Sequence, residues 1–341
     1  MSTSTDSRPA VVIAHWVHPE VLEFLAPHAR VIVNDTREPW SPAELRALTR
    51  NADALIGFMT ETVDETLLAA CPRLKIVACA LKGFDNYDVD ACTRHGVWIT
   101  IVGDLLTAPT AELTLGHLIA LGRHMPAGDR LIREGRFNGW RPTLYGTGLD
   151  GSTVGLIGAG AVGKAVARRL TGFDARVVYW DRTALDPAQE SALRMTRTAL
   201  DELASRSDFV CVCVPLNETS YRLVDAGFLA RMQPGAFLVN TARGSVVDEE
   251  AVADALESKR LGGYAADVFE MEDWALAKRP DAVNARLSAA TDRTFFTPHL
   301  GSAVDRVRRD IALEAATDVV AVLRGRAPPN AINLPALAGG P

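Results

Sequence analysis

Short apolar segments recur along the whole chain, and amphipathic stretches separate them. Continuous apolar segments of this length are typical of strands that are covered on both faces, as in a parallel sheet. The first series lies at 11–16, 31–33, 54–59, 75–80 and 97–100. The second series lies at 153–158, 176–180, 209–215, 236–240, 262–269 and 294–299. The second series has a spacing of roughly 25 to 30 residues, which is typical of βαβ units.

Several intervening stretches have the pattern of helices. Residues 41–50 begin with Ser41 as N-cap and Pro42 in the first turn, a combination that favours a helix start. The sequence predicts one long helix over 107–125, followed by a loop rich in Gly, Trp, Pro and Tyr at 137–149. We expect the amphipathic segment 305–325 to pack back on the first series of strands.

These elements predict an α/β protein of two Rossmann-like lobes, each with a parallel sheet. The boundaries predicted are 1–106 with 306–341 for the first lobe and 107–305 for the second lobe.

Charge and composition exclude several classes of protein. The 341 residues are 48% apolar and 23% charged, with a net charge of −6, which argues against nucleic-acid binding. No segment has the roughly 18 apolar residues of a membrane span, and the polar segment 1–10 resembles an unstructured leader rather than a signal peptide. The five cysteines show no CxxC spacing. We interpret them as reduced core residues of a cytoplasmic protein, against a lesser redox or metal alternative.

A glycine-rich turn follows the strand at 153–158 and leads into a helix. Its six residues are Gly158, Ala159, Gly160, Ala161, Val162 and Gly163. The three glycines permit a tight turn, close approach of a pyrophosphate and close packing of helix on strand. Asp181 stands eighteen residues past Gly163, at the end of the next strand, where a carboxylate can bind ribose hydroxyls. The neighbouring Arg182 could pair with a 2′-phosphate, so we expect NAD as cofactor with NADP also accepted.

Three further motifs follow later strands, at the sheet edge where α/β proteins bind ligands. Arg243 lies in NTARGSVVDE, Asp267 and Glu272 lie in DVFEMED, and His299 lies in TPHLGS. Each has an alternative reading, as a surface ion pair, a structural carboxylate or a loop histidine. Their joint placement favours a catalytic set, because arginine binds oxyanions bidentately and histidine serves as a base near neutral pH.

With these motifs the chain resembles the D-2-hydroxyacid dehydrogenase superfamily over nearly its whole length. The resemblance implies that the first lobe, 1–106 with 306–341, is the substrate domain, that the second lobe, 107–305, is the NAD-binding domain, and that the active site lies in the cleft between the two lobes. It also implies that Arg243 binds the substrate anion, that His299 is the general base and that Glu272 orients it. It also implies cofactor contacts at Thr110, Pro215, Asn217, Ala242, Asp267 and His299.

Within the superfamily, segments such as ALKGFDNYDVDACTRHGVW and LGGYAADVFEMEDWA resemble the phosphite (phosphonate) dehydrogenases. The implied reaction is oxidation of phosphite by NAD with water as the oxygen source. Lys82, at the tip of a strand, would then bind the phosphite dianion as a catalytic group. The implied substrate residues are Lys82, Gly83, Arg243, Met59, Leu106, Trp140, Tyr145, Ser302 and Arg308.

Several alternatives stay open for these residues. Met59 and Leu106 could be core residues, Arg308 could be a solvated helix residue, and Trp140 and Tyr145 could anchor the homodimer that the resemblance implies. The whole chain could be an ordinary 2-hydroxyacid dehydrogenase acting on glyoxylate, hydroxypyruvate or lactate, or a regulator that senses dinucleotides. Lys82 favours phosphite, because a monocarboxylate needs no second cation there. The sequence shows no metal-ligand cluster, so we expect no metal.

Overall fold

A computed structural model describes residues 7–276 and 278–335. These residues form two compact units: the first comprises the described residues up to Leu106 and from Val304 onward, and the second comprises Thr107–Ala303. The second boundary lies two residues before the one expected from the sequence. Most of the predicted leader, residues 1–6, lies outside the described residues.

Twelve strands and thirteen α-helices make up the described chain. The strands are β1 (Ala10–Ile13), β2 (Arg30–Val33), β3 (Ala54–Gly57), β4 (Ile76–Cys79), β5 (Trp98–Ile101), β6 (Thr153–Ile157), β7 (Arg176–Trp180), β8 (Met195–Arg197), β9 (Phe209–Val212), β10 (Ala236–Asn240), β11 (Leu261–Ala266) and β12 (Thr294–Phe296). The helices are α1 (Pro19–Leu25), α2 (Pro42–Thr49), α3 (Glu65–Ala70), α4 (Val89–Arg94), α5 (Thr107–Gly122), α6 (Met125–Arg133), α7 (Ala161–Leu170), α8 (Pro187–Leu193), α9 (Leu200–Arg206), α10 (Ala226–Arg231), α11 (Glu249–Glu257), α12 (Ala285–Ala289) and α13 (Asp305–Leu323). Short 3-10 helices lie at Asp104–Leu106, Thr171–Phe173, Gly244–Val246 and Glu270–Glu272.

The first unit is a five-stranded sheet in the order β2-β1-β3-β4-β5, with all neighbours parallel. The strands β1, β3 and β4 are buried along their whole length, as their continuous apolar sequences require. α13 packs on β3, β4 and α1, so the chain after residue 304 completes the core of this unit.

The second unit is a seven-stranded parallel sheet in the order β12-β11-β10-β9-β6-β7-β8. The strand order reverses between β6 and β9, which is the topological switch point where such sheets bind ligands. α5 packs on α7 and on β10, β11 and β12. Because the strands of this sheet are parallel, their carboxyl ends share one edge, where the glycine-rich turn and the segments of Arg243, Glu272 and His299 lie.

The structure confirms the two parallel-sheet α/β lobes and corrects details of their elements. The helix expected over 107–125 ends at Gly122, His124 takes a left-handed conformation with φ 49°, and a separate helix α6 begins at Met125. Strand β8 was not predicted. At α2 the expected N-cap is confirmed, since Ser41 and Glu44 form a reciprocal capping box.

Candidate active site

The glycine-rich turn after β6 has the geometry that a dinucleotide requires. Gly158 has φ 104°, and a Cβ there would lie 2.8 Å from the Cys213 carbonyl oxygen. A Cβ on Gly163 would lie 2.2 Å from the Gly158 carbonyl oxygen, whereas a Cβ on Gly160 would meet nothing within 4 Å. The turn is therefore tight at its two ends and open in the middle. Ala161 and Val162 form the first turn of α7, whose free N–H groups suit a pyrophosphate.

Asp181 follows β7 and contacts this turn directly. Its Oδ2 accepts the Ala159 N–H at 2.8 Å, and its Oδ1 accepts the Thr183 N–H at 3.1 Å. The adjacent Arg182 is exposed and donates to Thr219 Oγ1 at 3.3 Å. The half-buried carboxylate has lone pairs left for ribose hydroxyls, so its predicted role is compatible with its backbone contacts.

The segment after β9 forms a turn that is held by its own internal hydrogen bonds. Ser220 Oγ donates to the Pro215 carbonyl oxygen at 2.6 Å, and Asn217 Oδ1 accepts the Thr219 N–H at 2.9 Å. Pro215 and Asn217, both predicted cofactor contacts, are thus held on the same sheet edge as the glycine-rich turn.

His299 and Glu272 form the imidazole–carboxylate pair that the resemblance implies. His299 Nδ1 lies 2.8 Å from Glu272 Oε2, and both side chains are about three-quarters buried. Glu272 Oε1 also accepts the Phe269 N–H at 2.8 Å, which fixes the carboxylate. The pair orients the ring so that Nε2 is available for proton transfer.

The turn that carries His299 is unusual in its backbone and is tied to Asp267. His299 has φ 55°, a left-handed backbone conformation that residues other than glycine rarely adopt. The buried Asp267 accepts Thr297 Oγ1 at 2.5 Å and the Leu300 N–H at 2.6 Å through Oδ1, and the Gly301 N–H at 2.8 Å through Oδ2. Burial raises the pKa of Asp267, and these hydrogen bonds offset part of that effect.

Two more predicted residues lie at this turn. A Cβ on Gly301 would lie 3.2 Å from Thr110 Oγ1 on α5, so Thr110 is adjacent to the turn. Ser302 follows Gly301 and is half-buried.

Arg243 lies past the end of β10 on a turn that contacts the Glu272 segment. The buried Asn240 shapes this turn, since its amide donates to the Arg243 carbonyl oxygen at 2.9 Å and its Oδ1 accepts the Ala242 N–H at 3.1 Å. A Cβ on Gly244 would lie 1.9 Å from the Phe269 carbonyl carbon. The second unit therefore brings the Arg243, Glu272 and His299 segments together at the ends of β10, β11 and β12.

Lys82 lies on the first unit, in the turn that follows β4, with Gly83 next to it. Its ammonium forms an ion pair with Asp104, a residue that the sequence reasoning missed. The two side chains are 41% and 72% exposed, and an exposed pair of this kind contributes about 1 kcal/mol or less. Lys82 can therefore change partners at small cost.

A cavity of about 340 Å³ opens in the first unit, and Met59 and Arg308 line it together with Phe58 and His15. The Arg308 guanidinium lies 5.9 Å from the centre of the Phe58 ring, and burial lowers the pKa of Arg308. Arg308 is thus a cavity residue rather than a solvated helix residue. Met59 and Leu106 both pack against the core of this unit, in keeping with the alternative reading of them.

Hydrogen bonds tie the Met59 loop to the Lys82 turn within the first unit. Asn86 Nδ2 donates to the Met59 carbonyl oxygen at 3.1 Å, and Tyr87 Oη donates to the Phe58 carbonyl oxygen at 2.6 Å. These bonds connect the two predicted substrate segments to each other.

The sequence reasoning also missed a second imidazole–carboxylate pair. His15 Nε2, in the cavity, lies 3.0 Å from Oε1 of the buried Glu61. The two residues are 46 positions apart, so no local motif marks them. Although burial alone raises the pKa of Glu61, the contacts with His15, Thr60 and the Phe58 N–H lower it below its usual value.

Trp140 and Tyr145 lie in the segment after α6. Their side chains are 76% and 74% exposed. The structure gives them no role within the described chain.

The described residues show neither a metal-ligand cluster nor a membrane-spanning helix. Over residues 7–276 and 278–335, no group of three His, Cys, Asp or Glu side chains could hold a metal ion. No helix in the same part of the chain is long and apolar enough to cross a membrane.

Comparisons with known proteins agree on one family. The family described as "D-isomer specific 2-hydroxyacid dehydrogenase, NAD binding domain" matches residues 115–301. A glyoxylate reductase of Thermofilum pendens is 35% identical over 96% of this chain and 95% of its own length. A glyoxylate reductase of Pyrococcus furiosus is 34% identical over 96% of both chains.

Solved structures show the same fold. The crystal structure of a Thermus thermophilus protein has a TM-score of 0.86 and 34% identity, and the match covers 95% of this chain and all of that one. An NADPH-dependent glyoxylate/hydroxypyruvate reductase of Sinorhizobium meliloti, solved with NADP and malonate, has a TM-score of 0.82 and 28% identity, with 96% and 97% covered.

Proposed function

We propose that this chain, which belongs to the D-isomer specific 2-hydroxyacid dehydrogenase family and is an NAD-dependent oxidoreductase, oxidises phosphite to phosphate. The observation that carries the proposal is Lys82, a cation at the carboxyl end of β4 that forms an ion pair with the exposed carboxylate of Asp104. Phosphite is a dianion near neutral pH and has no carbon skeleton, so charge and hydrogen bonds must supply its binding.

The proposal gives each side chain a defined task. Arg243 and Lys82 bind the oxygens of the anion, and Arg308 adds positive charge. His299, oriented by Glu272, takes the proton of the attacking water. NAD, when bound, supplies the carbon that accepts the hydride. Without the cations, an oxygen nucleophile would approach an already anionic phosphorus against strong repulsion.

Reduction of glyoxylate or a related 2-oxoacid is the second candidate. The names of the relatives favour it, and on the comparisons alone it is better supported than phosphite oxidation. It uses the same three residues, Arg243, Glu272 and His299, but it gives Lys82 no necessary task.

Absorbance at 340 nm tests the two candidates directly. Purified protein with NAD is assayed with phosphite, D-lactate and D-glycerate, and protein with NADH is assayed with glyoxylate and hydroxypyruvate. We expect NADH to form with phosphite much faster than with either hydroxyacid. Turnover of the organic acids with none of phosphite would select the second candidate.

The variant Lys82→Met tests the task of the lysine, with Lys75→Met as its matched control. Lys75 lies at the other end of β4 and pairs with Asp53 at 3.2 Å, so both variants remove one positive charge from the same unit. We expect Lys82→Met to lower kcat/KM for phosphite by about 10- to 100-fold, the loss of one charged hydrogen bond. An equal effect of the two variants would refute the assignment.

We also propose that the protein is a cytoplasmic homodimer. The segment from α6 to residue 145 exposes six large apolar side chains: Met125, Ile132, Phe137, Trp140, Leu144 and Tyr145. Exposed apolar surface of this extent favours a partner, and a second copy is the one that the resemblance implies. The five cysteines are free, which suits a reducing compartment.

A further inference from the structure

The apolar helix α5 carries a polar stripe, which we define as Thr110, Thr114 and His117. The spacing i, i+4, i+7 puts all three on one face of the helix, the face that packs on β10, β11 and β12. Thr114 and His117 are completely buried. Buried polar groups are costly unless they are bonded, so their partners show what they do.

Each residue of the stripe reaches a different segment of the candidate active site. Thr110 lies beside Gly301, as described above. Thr114 Oγ1 lies 2.8 Å from Thr241 Oγ1, two residues before Arg243. His117 Nε2 lies 3.0 Å from Thr297 Oγ1, two residues before His299.

The hydrogen bond to Thr297 determines which ring nitrogen of His117 carries the proton. The Thr297 hydroxyl has one proton, and its 2.5 Å contact with Asp267 takes that proton, because an ionised carboxylate only accepts. Thr297 must then accept from His117, so Nε2 carries the imidazole proton. His117 Nδ1 is buried and has no hydrogen-bond partner among the described residues, and burial lowers the pKa of His117 to about 4. The ring is therefore neutral.

We propose that His117 is a positioning residue: through Thr297 it fixes the Asp267 carboxylate and, with it, the turn that presents His299. Asp267 accepts the Leu300 and Gly301 N–H groups, and its carbonyl oxygen accepts the His299 N–H at 2.8 Å. If the Thr297 hydroxyl rotated and donated elsewhere, the Asp267 carboxylate would lose one of the three hydrogen bonds that fix it beneath the His299 turn. A leucine at position 117 would fill the space but could not donate.

The tautomer of His117 gives a test that needs no turnover. Histidine labelled with ¹⁵N reports which ring nitrogen is protonated in each of the seven histidines, and the His117 signals are those absent from His117→Leu. We expect a proton on Nε2 and a bare Nδ1 at neutral pH. A proton on Nδ1 would overturn the inference.

Kinetics separate positioning from packing, and this part rests on the proposed hydride-transfer function. We expect His117→Leu to lower kcat by about tenfold, since small displacements of a catalytic group are costly, with KM for the substrate nearly unchanged. His117→Gln, whose amide can donate in place of Nε2, should recover most of the rate. Because the effect passes through Thr297, the double variant with Thr297→Val should be no slower than Thr297→Val alone.

Phe295→Leu is the matched packing control. The Phe295 ring lies edge-on to His117 at 5.1 Å, so this variant disturbs the same core without touching the hydrogen bond. Equal losses of kcat in Phe295→Leu and His117→Leu, with additive effects of His117→Leu and Thr297→Val, would show that His117 is only a core residue. Absence of turnover in the unmodified protein would count against the proposed function alone, because the tautomer is measured independently.

Discussion

Single residues at this sheet edge have separable tasks, and the glycine-rich turn shows this most clearly. Gly163 is required by the protein itself, because its Cα lies against the Gly158 carbonyl group. Gly160 has φ −70° and open space around it, so nothing in the protein alone requires a glycine there. We therefore expect any need for glycine at position 160 to come from a ligand, as where a pyrophosphate approaches the backbone.

Alanine substitutions at the two positions should therefore have different effects. We expect Gly160→Ala to raise KM for NAD about tenfold or more, a loss of about 1.4 kcal/mol, and to leave the melting temperature without cofactor unchanged. Gly163→Ala should destabilise the protein by about 1–3 kcal/mol, because helix and strand must move apart. Thermal unfolding and NAD titration of both variants measure this, and equal melting temperatures would contradict it.

At the level of elements, α5 carries a residue, His117, that both contacts the active-site segments and makes folding stability depend on pH. His117 on this helix has its pKa lowered from 6.5 to about 4 by burial. In the unfolded chain the histidine binds a proton below about pH 6.5, whereas in the folded protein it does so only below about pH 4. The contribution of His117 to folding stability must therefore fall as the pH falls through this window.

Comparison with His117→Leu isolates this contribution. The free energy of unfolding of the unmodified protein should lose up to about 3 kcal/mol relative to the variant between pH 6.5 and pH 4. Glu249, whose pKa burial raises to about 7, has the opposite pH dependence but is present in both proteins and cancels. Urea unfolding at several pH values gives the difference, and parallel curves would rule out a buried neutral His117.

At the level of the whole molecule, the exposed apolar segment from α6 to residue 145 sets the expected assembly. Light scattering after gel filtration should give the mass of two chains for the unmodified protein and of one chain for the double variant Ile132→Glu with Phe137→Glu. The control is Leu334→Glu, which alters a side chain of the first unit that is 84% exposed and should stay dimeric. A monomeric unmodified protein at micromolar concentration would contradict the dimer.

Local sequence determined much of this protein. Continuous apolar segments predicted the buried parallel strands, and Ser41 with Pro42 predicted the start of α2, because caps and strands depend on neighbouring residues. The sequence also indicated the motifs of the candidate site, because each is short and follows a strand. These motifs are the glycine-rich turn and those of Arg243, Glu272 and His299.

Only the tertiary structure decided the rest, because those features depend on residues far apart in the chain. α5 ends at Gly122, whose carbonyl oxygen accepts a hydrogen bond from the distant Thr147 N–H at 2.8 Å. The Lys82–Asp104 and His15–Glu61 pairs join separate strand ends. The spacing of Thr114 and His117 was visible in an apolar helix, but their partners Thr241 and Thr297, directly after β10 and β12, were not. The sequence shows which side chains are present, and the packing of the fold determines which of them come into contact.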